Sequence, residues 1–279
     1  MQDLVVRRRC GSGAFLSHLT EHQSRAHGTI DLTEMSFCEP LGLVGIAAFA
    51  DGAVRRGKRV VVLSPQEPAV ANYLSRMHLG ETLAALGAEH ELPRVREHFV
   101  GDALLELTSF TGARGAAQLG RMVHEAMEAS DLEAAAALHE GICEAGQNVA
   151  HHSGQPHGYI AAQRTHNRTR LMFAVSDCGV GMLGTLASKG ARTDAEALDL
   201  ALRRGASGTT DEHRGQGLPD ILDQVSSLQG SLYLVSGAAA VTAWGRHRTH
   251  AAAALGLQGT IVQGSLRAPQ TPSNTPRQI

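Results

Sequence analysis

Residues 170–184 read RLMFAVSDCGVGMLG: an apolar run of buried-strand length that ends on Asp177 and passes at once into Gly179, Gly181 and Gly184. A strand that stops on a carboxylate and continues through glycines brings bare backbone close to something, because glycine tolerates turns and approaches that a side chain forbids. Two spellings overlap here. Gly179 to Gly184 is G-x-G-x-x-G, the dinucleotide-binding fingerprint, whereas D-x-G-x-G from Asp177 fits another kind of nucleotide site. The dinucleotide reading requires a helix and then a second parallel strand ending in an acid about twenty positions later. Instead TLASKGARTDAEALDL begins as a Gly- and Lys-bearing loop and becomes helical around Asp194 to Ala201, with no strand for a ribose-binding acid to cap. The second spelling is the one the context supports.

The elements around this loop predict an α/β chain in two parts. Upstream, GTIDLTEMSF ends an extended segment, and LGLVGIAAFADGAVRRG places Leu43, Ala47, Ala50 and Val54 on one stripe of an amphipathic helix stopped by Gly57. RVVVL at 59–63 is a strand, and a second helix carries Val70, Leu74 and Met77. Strand, helix, strand, helix implies a small, mostly parallel sheet covered by helices. ELPRVREHF at 91–99 marks a boundary, giving units 1–95 and 96–268. Beyond it, Leu119, Met122, Val123 and Ala126 share a helix face, and a second helix runs from about Asp131 to His151. GYIAAQ and RLMFAVSD are strands, LPDILDQVSSL is a helix, and SLYLVSG, AVTAWGRH and TIVQGSL are short strands. Residues 269–279 are polar and Pro-rich, the composition of a disordered tail.

Composition narrows the partners. The 279 residues are 43% hydrophobic, enough for substantial cores, and the net charge of −2 lacks the clustered basic footprint of a nucleic-acid binder. The longest uncharged apolar run, 41–50, is too short to span a bilayer, so the expectation is a soluble cytoplasmic protein with no membrane contact. Cys10, Cys38, Cys143 and Cys178 show no C-x-x-C spacing and read as reduced packing residues. GAVRRGKR, Gly52 to Arg59, imitates a P-loop but has Arg59 where Ser or Thr would ligate magnesium, and the order of helix and strand is inverted. His151, His152 and His157 read as a polar helix end rather than a metal site. His124-Glu125 and His139-Glu140 lack the flanking pattern of a phosphoacceptor helix.

In the helix of 131–151, Leu138, Ile142, Ala145 and Val149 form the core stripe, and Glu144 and Asn148 stack one turn apart on its flank. Such a pair either decorates a solvated face or faces a cleft. In a cleft the carboxylate can act as a general base and the carboxamide oxygen can ligate Mg²⁺. Asp177 at a strand's end can accept from an exocyclic amine such as adenine N6. Downstream, HRGQGLPDIL places Gly215 and Gly217 just before a helix, where free N–H groups and the helix dipole favour phosphate.

Taken in order, EAGQN, DCGVG and GQGLPDI, followed by GSLYLVSG and GTIVQGSL, resemble the N, G1 and G2 boxes of the GHKL superfamily over roughly residues 113–268. That resemblance implies a Bergerat-fold α/β sandwich with a mixed, largely antiparallel sheet, binding ATP and Mg²⁺. By matched position, Glu144 is the general base, Asn148 the magnesium ligand and Asp177 the adenine acceptor. Gly179, Gly181 and Met182 shape the pocket, residues 183–214 form a lid, and Arg214, Gly215, Gln216, Gly217 and Leu218 lie at the phosphates. Thr260 supports the Asp177–adenine contact. The segment IDLTEMSFCEPLGLVGIAAFADGAVRRGKRVVVLSP, continued by YLSRMHLGETL, resembles a STAS domain, although CEPLG at 38–42 has no hydroxyl where that family carries its phosphorylated serine. The two resemblances imply a histidine-kinase-like ATPase or an anti-sigma-type serine/threonine kinase with a STAS or sigma-regulatory protein as partner, and leave room for a homodimer. A slow ATPase switch of chaperone or topoisomerase type and a non-catalytic nucleotide-binding adaptor stand as alternatives.

Overall fold

The computed structural model describes residues 2–11, 14–21, 27–96, 104–111, 113–128, 132–152, 157–165, 169–205 and 217–267. The expected tail at 269–279 lies outside the described residues. The first part comprises β1 (Gln2–Cys10), β2 (Leu19–Glu21), β3 (His27–Cys38), α1 (Pro40–Arg55), β4 (Arg59–Leu63), α2 (Pro68–Arg76), α3 (Leu79–Ala85) and β5 (Glu89–His90). Its sheet has the order β2-β1-β3-β4-β5, parallel from β1 to β5 with β2 antiparallel at the edge. The second part comprises β6 (Leu104–Thr111), α4 (Ala113–Met127), α5 (Leu132–His152), β7 (His157–Thr165), β8 (Arg170–Asp177), α6 (Gly181–Leu186), α7 (Asp194–Ala201), α8 (Gly217–Ser227), β9 (Ser231–Trp244) and β10 (His247–Arg267). Its sheet has the order β6-β7-β8-β10-β9. The chain is thus mixed α/β, with one largely parallel and one antiparallel sheet.

Every neighbouring pair described in the second sheet is antiparallel, where a mixed sheet was expected. The connections explain this. The α4–α5 helical hairpin returns the chain to the end of the sheet it left, so β7 runs against β6, and a tight turn at 245–246 joins β9 to β10.

Helix α1 differs most from its expected form. Rather than showing one apolar stripe, it is buried from Pro40 through Ala53 on every side. A helix that is apolar all round must be covered all round. One side packs toward β3 and β4, and the other lies across β7, β8 and β10 of the second sheet. One apolar cluster accordingly runs from Ile30, Val44 and Val62 through to Tyr159, Ala174 and Ile261. Polar contacts cross the same boundary. Ser176 Oγ donates to the Val44 carbonyl at 2.8 Å, the Leu41 N–H donates to Gln263 Oε1 at 2.8 Å, and Gln263 Nε2 donates to Glu39 Oε2 at 3.0 Å.

The opposite face of the second sheet carries α4 to α8 over a separate apolar cluster that includes Leu138, Ile142, Phe173, Val175, Ile221 and Leu234. Four strands, the short β2 and β5 and the longer β1 and β6, were not anticipated. In β1 the alternation of buried Leu4 and Val6 is interrupted by Arg7, Arg8 and Arg9, with register shifts and a left-handed Arg8 at φ 62°. In β6 a register irregularity between Leu105 and Thr108 sets Leu105 and Phe110, five residues apart, on the helix side and Leu107 in the cluster around α1. SLYLVSG and AVTAWGRH, expected as separate strands, join as β9, with Gly237 at φ 57° at the join. Among the described residues no helix is long and apolar enough to cross a membrane.

Candidate functional site

Strand alternation decides which side chains meet at the end of the second sheet. On β8, Leu171, Phe173 and Val175 belong to the helix-side cluster, whereas Ala174 and Ser176 face α1. A period of two therefore places Asp177 on the helix side and Cys178 on the α1 side. On β10, Val262 and Leu266 are helix-side, so Thr260 is too; on β9, Leu232 and Leu234 put Ser236 on that side. The register pairs Thr260 with Asp177 on one flank and with Ser236 on the other. A polar row, Asp177–Thr260–Ser236, thus crosses three adjacent strands at the end of an otherwise apolar face, with relative exposures of 6%, 8% and 1%. Buried polar groups in such a place require partners. Ser236 was missed in the sequence; its signal is a hydroxyl that continues the Leu232, Leu234 phase just before Gly237.

The loop after Asp177 is fixed by its own contacts. Asp177 Oδ1 accepts the Gly179 N–H at 2.7 Å. Burial pushes the Asp177 carboxyl up to about 6, partly countered by backbone hydrogen bonds from Gly179 and Thr260. Gly181 has φ 74°, and a Cβ there would lie 2.9 Å from Ser236 Oγ. Gly259 has φ 95°, and a Cβ there would lie 2.1 Å from the Asp177 carbonyl oxygen. Both positions need glycine, one for the turn into α6 and one for the approach of β10 to β8. The Met182 N–H donates to Ser236 Oγ at 2.8 Å, and that hydroxyl donates to the Gly259 carbonyl at 3.0 Å. Ser236 Oγ and Thr260 Oγ1 are 3.4 Å apart.

On α5 the predicted stripe is buried at Leu138, Ile142 and Val149. The side chains of Glu144, Ala145 and Asn148 lie outside the described residues; their positions are fixed by the helix. Gly141 meets the first turn of α8, where a Cβ would fall 2.7 Å from Ile221 Cγ1 and 3.4 Å from the Gly217 carbonyl. At about 100° per residue, positions 144 and 148 fall within roughly 60° of Gly141. The side of α5 that carries them is therefore the side turned toward α8. Gly217 and Leu218 open α8 and are buried. Arg214, Gly215 and Gln216 lie outside the described residues.

The expected lid at 183–214 is corrected over its first half. Residues up to Leu186 belong to α6, a short turn at Ala187–Lys189 follows, and then α7. Leu186, Ala191, Ala197, Leu198, Ala201 and Leu202 are buried in the helix-side cluster. Thr193 caps α7 by accepting the Glu196 N–H at 3.2 Å, and Asp194 Oδ2 accepts the Ala238 N–H at 2.8 Å. A segment anchored by six buried apolar side chains and a bond to β9 is wall rather than lid. Residues 206–214, the rest of that span, lie outside the described residues.

The remaining sequence candidates resolve individually. His157 Nε2 lies 3.1 Å from Asp51 Oδ2, as a helix-to-strand contact; the side chains of His151 and His152 lie outside the described residues. Among the described residues no group of three His, Cys, Asp or Glu could hold a metal ion. His139 stacks edge-on against His124 at 6.1 Å. In the CEPLG loop, Glu39 and Leu41 are tied to Gln263 of the second sheet.

Chemically, the row offers a buried carboxylate for an N–H donor, with backbone too close for any side chain on either hand. No protein-family model and no curated protein sequence matches this chain.

Proposed function

We propose that this chain is an ATP- and Mg²⁺-binding regulator. In this reading the second sheet and α4 to α8 form a Bergerat-type (GHKL) pocket, and the first sheet with α1 is a STAS-like layer docked on its back. The observation that carries the reading is the buried row Asp177–Thr260–Ser236, closed by glycines at 181 and 259 and lying on the face covered by α5 and α8. Asp177 accepts the adenine amine, and Thr260 beside it holds that contact in register. Asn148 on α5 holds the magnesium ion, and the N-terminal turn of α8 at Gly217 and Leu218 faces the phosphates. ATP supplies a transferable γ-phosphate. Glu144, one turn from Asn148, takes the proton from the attacking hydroxyl of a partner's serine or threonine, or from water. The anti-sigma-type kinase, acting in the cytoplasm on a STAS-containing or sigma-regulatory protein, is the preferred form of this reading.

Incubating the purified chain with γ-labelled ATP and Mg²⁺, alone and with a STAS-containing partner, tests it. Label on the partner supports a kinase, free phosphate without a partner supports an ATPase, and retained ATP with neither supports an adaptor. Asn148→Ala is expected to lower Mg²⁺-dependent ATP affinity by roughly tenfold, about 1.4 kcal/mol. Absence of ATP binding, or an Asn148→Ala variant with unchanged affinity, overturns the reading.

A further inference from the structure

Behind the Asp177 loop, on the side away from the polar row, α1 presents a carboxylate that is only 2% exposed: Asp51. Its Oδ1 receives Arg55 Nε at 2.7 Å, and its Oδ2 lies 3.1 Å from His157 Nε2. Cys178, the residue after Asp177, donates its thiol to the same Oδ2 at 3.2 Å. Burial and then the Asp51 carboxylate push the Cys178 thiol up to about 12, so it stays protonated and remains a donor. Burial, and then the nearby Asp51 carboxylate, suppress ionisation of the Tyr159 hydroxyl, which meets no hydrogen-bond geometry there.

α1 makes further contacts with the loop's supports, among them the bond from Ser176 to the Val44 carbonyl. One residue along from Asp51, Gly52 lies where a Cβ would be 3.5 Å from Cys178 Cβ and 3.7 Å from Gln258 Oε1. Arg56, at the end of α1, hydrogen-bonds Gln258. Gln258 precedes Gly259, whose backbone crowds Asp177. A single helix turn of the N-terminal layer therefore grips β8 and β10 at the residues that flank the proposed adenine acceptor.

We propose that Cys178 is a positioning residue through which Asp51 of α1 sets the backbone of the Asp177–Gly179 loop, so that ATP affinity depends on the docked N-terminal layer. The proposal rests on the ATP reading of the site. Asp51 reaches no ligand itself; it acts by holding the residue covalently joined to Asp177. Removing the thiol leaves Asp51 Oδ2 to His157 and takes away the hydrogen bond that ties residue 178 to α1, and the backbone then free to relax is the loop itself. Linkage makes the effect reciprocal: bound nucleotide strengthens docking of α1 by the same factor.

The test compares calorimetric ATP·Mg²⁺ affinity and thermal midpoint for wild type, Cys178→Ala, Cys178→Ser, Asp51→Ala and the double alanine variant. Cys178→Ala is expected to weaken ATP binding five- to tenfold, and Cys178→Ser, which retains a donor, to stay within twofold of wild type. The double variant is expected to bind no more weakly than the worse single variant, because both remove one interaction. If Asp51→Ala does not fold, the Ala and Ser variants at 178 decide the matter alone. Cys178→Ala binding as wild type does, Cys178→Ser binding as weakly as Cys178→Ala, or additive losses would each overturn the positioning role. If wild type binds no ATP, the reading of the site falls and this proposal falls with it. If wild type binds and only the variants fail to differ, the site stands and the positioning role alone is lost.

Discussion

Asp177 is where stability and the proposed function pull in opposite directions. Burial raises its folded-state value to about 6, above the ordinary 3.8, so between those values the folded chain holds a proton that the unfolded chain has released. Stability therefore falls as pH rises from about 4 to 6, and above 6 the loss is complete. Asp177→Asn removes the ionisation while keeping an oxygen for the Gly179 N–H. The variant is expected to be more stable than wild type at pH 7 by up to about 3 kcal/mol, with the gap closing toward pH 4, as measured by urea unfolding at the two pH values. The same substitution is expected to weaken ATP binding by about 1–3 kcal/mol. Asp177 could be read in the sequence because an acid that ends an apolar run and precedes glycines is a rare local pattern. Ser236 could not, since a single hydroxyl near a strand's end is common, and only the register that sets it beside Thr260 gives it meaning. Asp51 was hidden for a different reason: a polar residue in a helix counts as solvent-facing until the helix is known to have no solvent face.

At the scale of elements, α1 is the part whose sequence was most open to misreading. The stripe Leu43, Ala47, Ala50 and Val54 is real, but Leu41, Val44, Ile46 and Phe49 lie off it and are equally apolar. Their presence, with small residues at 42, 45, 47, 48, 50, 52 and 53, specifies a helix with close neighbours on every side. Gly45 shows how close. A Cβ there would sit 2.6 Å from the Phe15 ring and 3.0 Å from Ile261 Cδ1, between the two parts of the chain. Gly45→Ala is expected to lower stability by about 1–3 kcal/mol despite its better helix propensity, which a denaturant titration measures directly. Helices and strands with regular periods, such as β4, β7, β8, α7 and α8, were legible. Strands whose phase is broken, β1 by its arginines and β6 by its irregular register, were not, because a slip of one residue erases the alternation that identifies a strand.

For the whole molecule, the two sheets are not beads on a linker. The face of the second sheet that bears Tyr159, Ala161, Ala174, Tyr233, Val235 and Ile261 is covered by the N-terminal layer. Residues 1–279 are therefore expected to unfold in one thermal transition. A fragment of residues 96–268 alone is expected to bind a hydrophobic dye strongly and to lose that cooperative transition, because removing α1 uncovers a continuous apolar face. Two separate transitions in the full chain, or a well-behaved fragment, would sink this account.

The helix buried on all sides also has a place in time. It is complete once Arg55 has been made, but β10, which covers part of its far side, ends only at Arg267. At ~5–20 residues per second of synthesis, the nascent chain carries an oily helix surface without its cover for roughly ten to forty seconds. Until β10 is made, that surface is open to whatever apolar partner reaches it first.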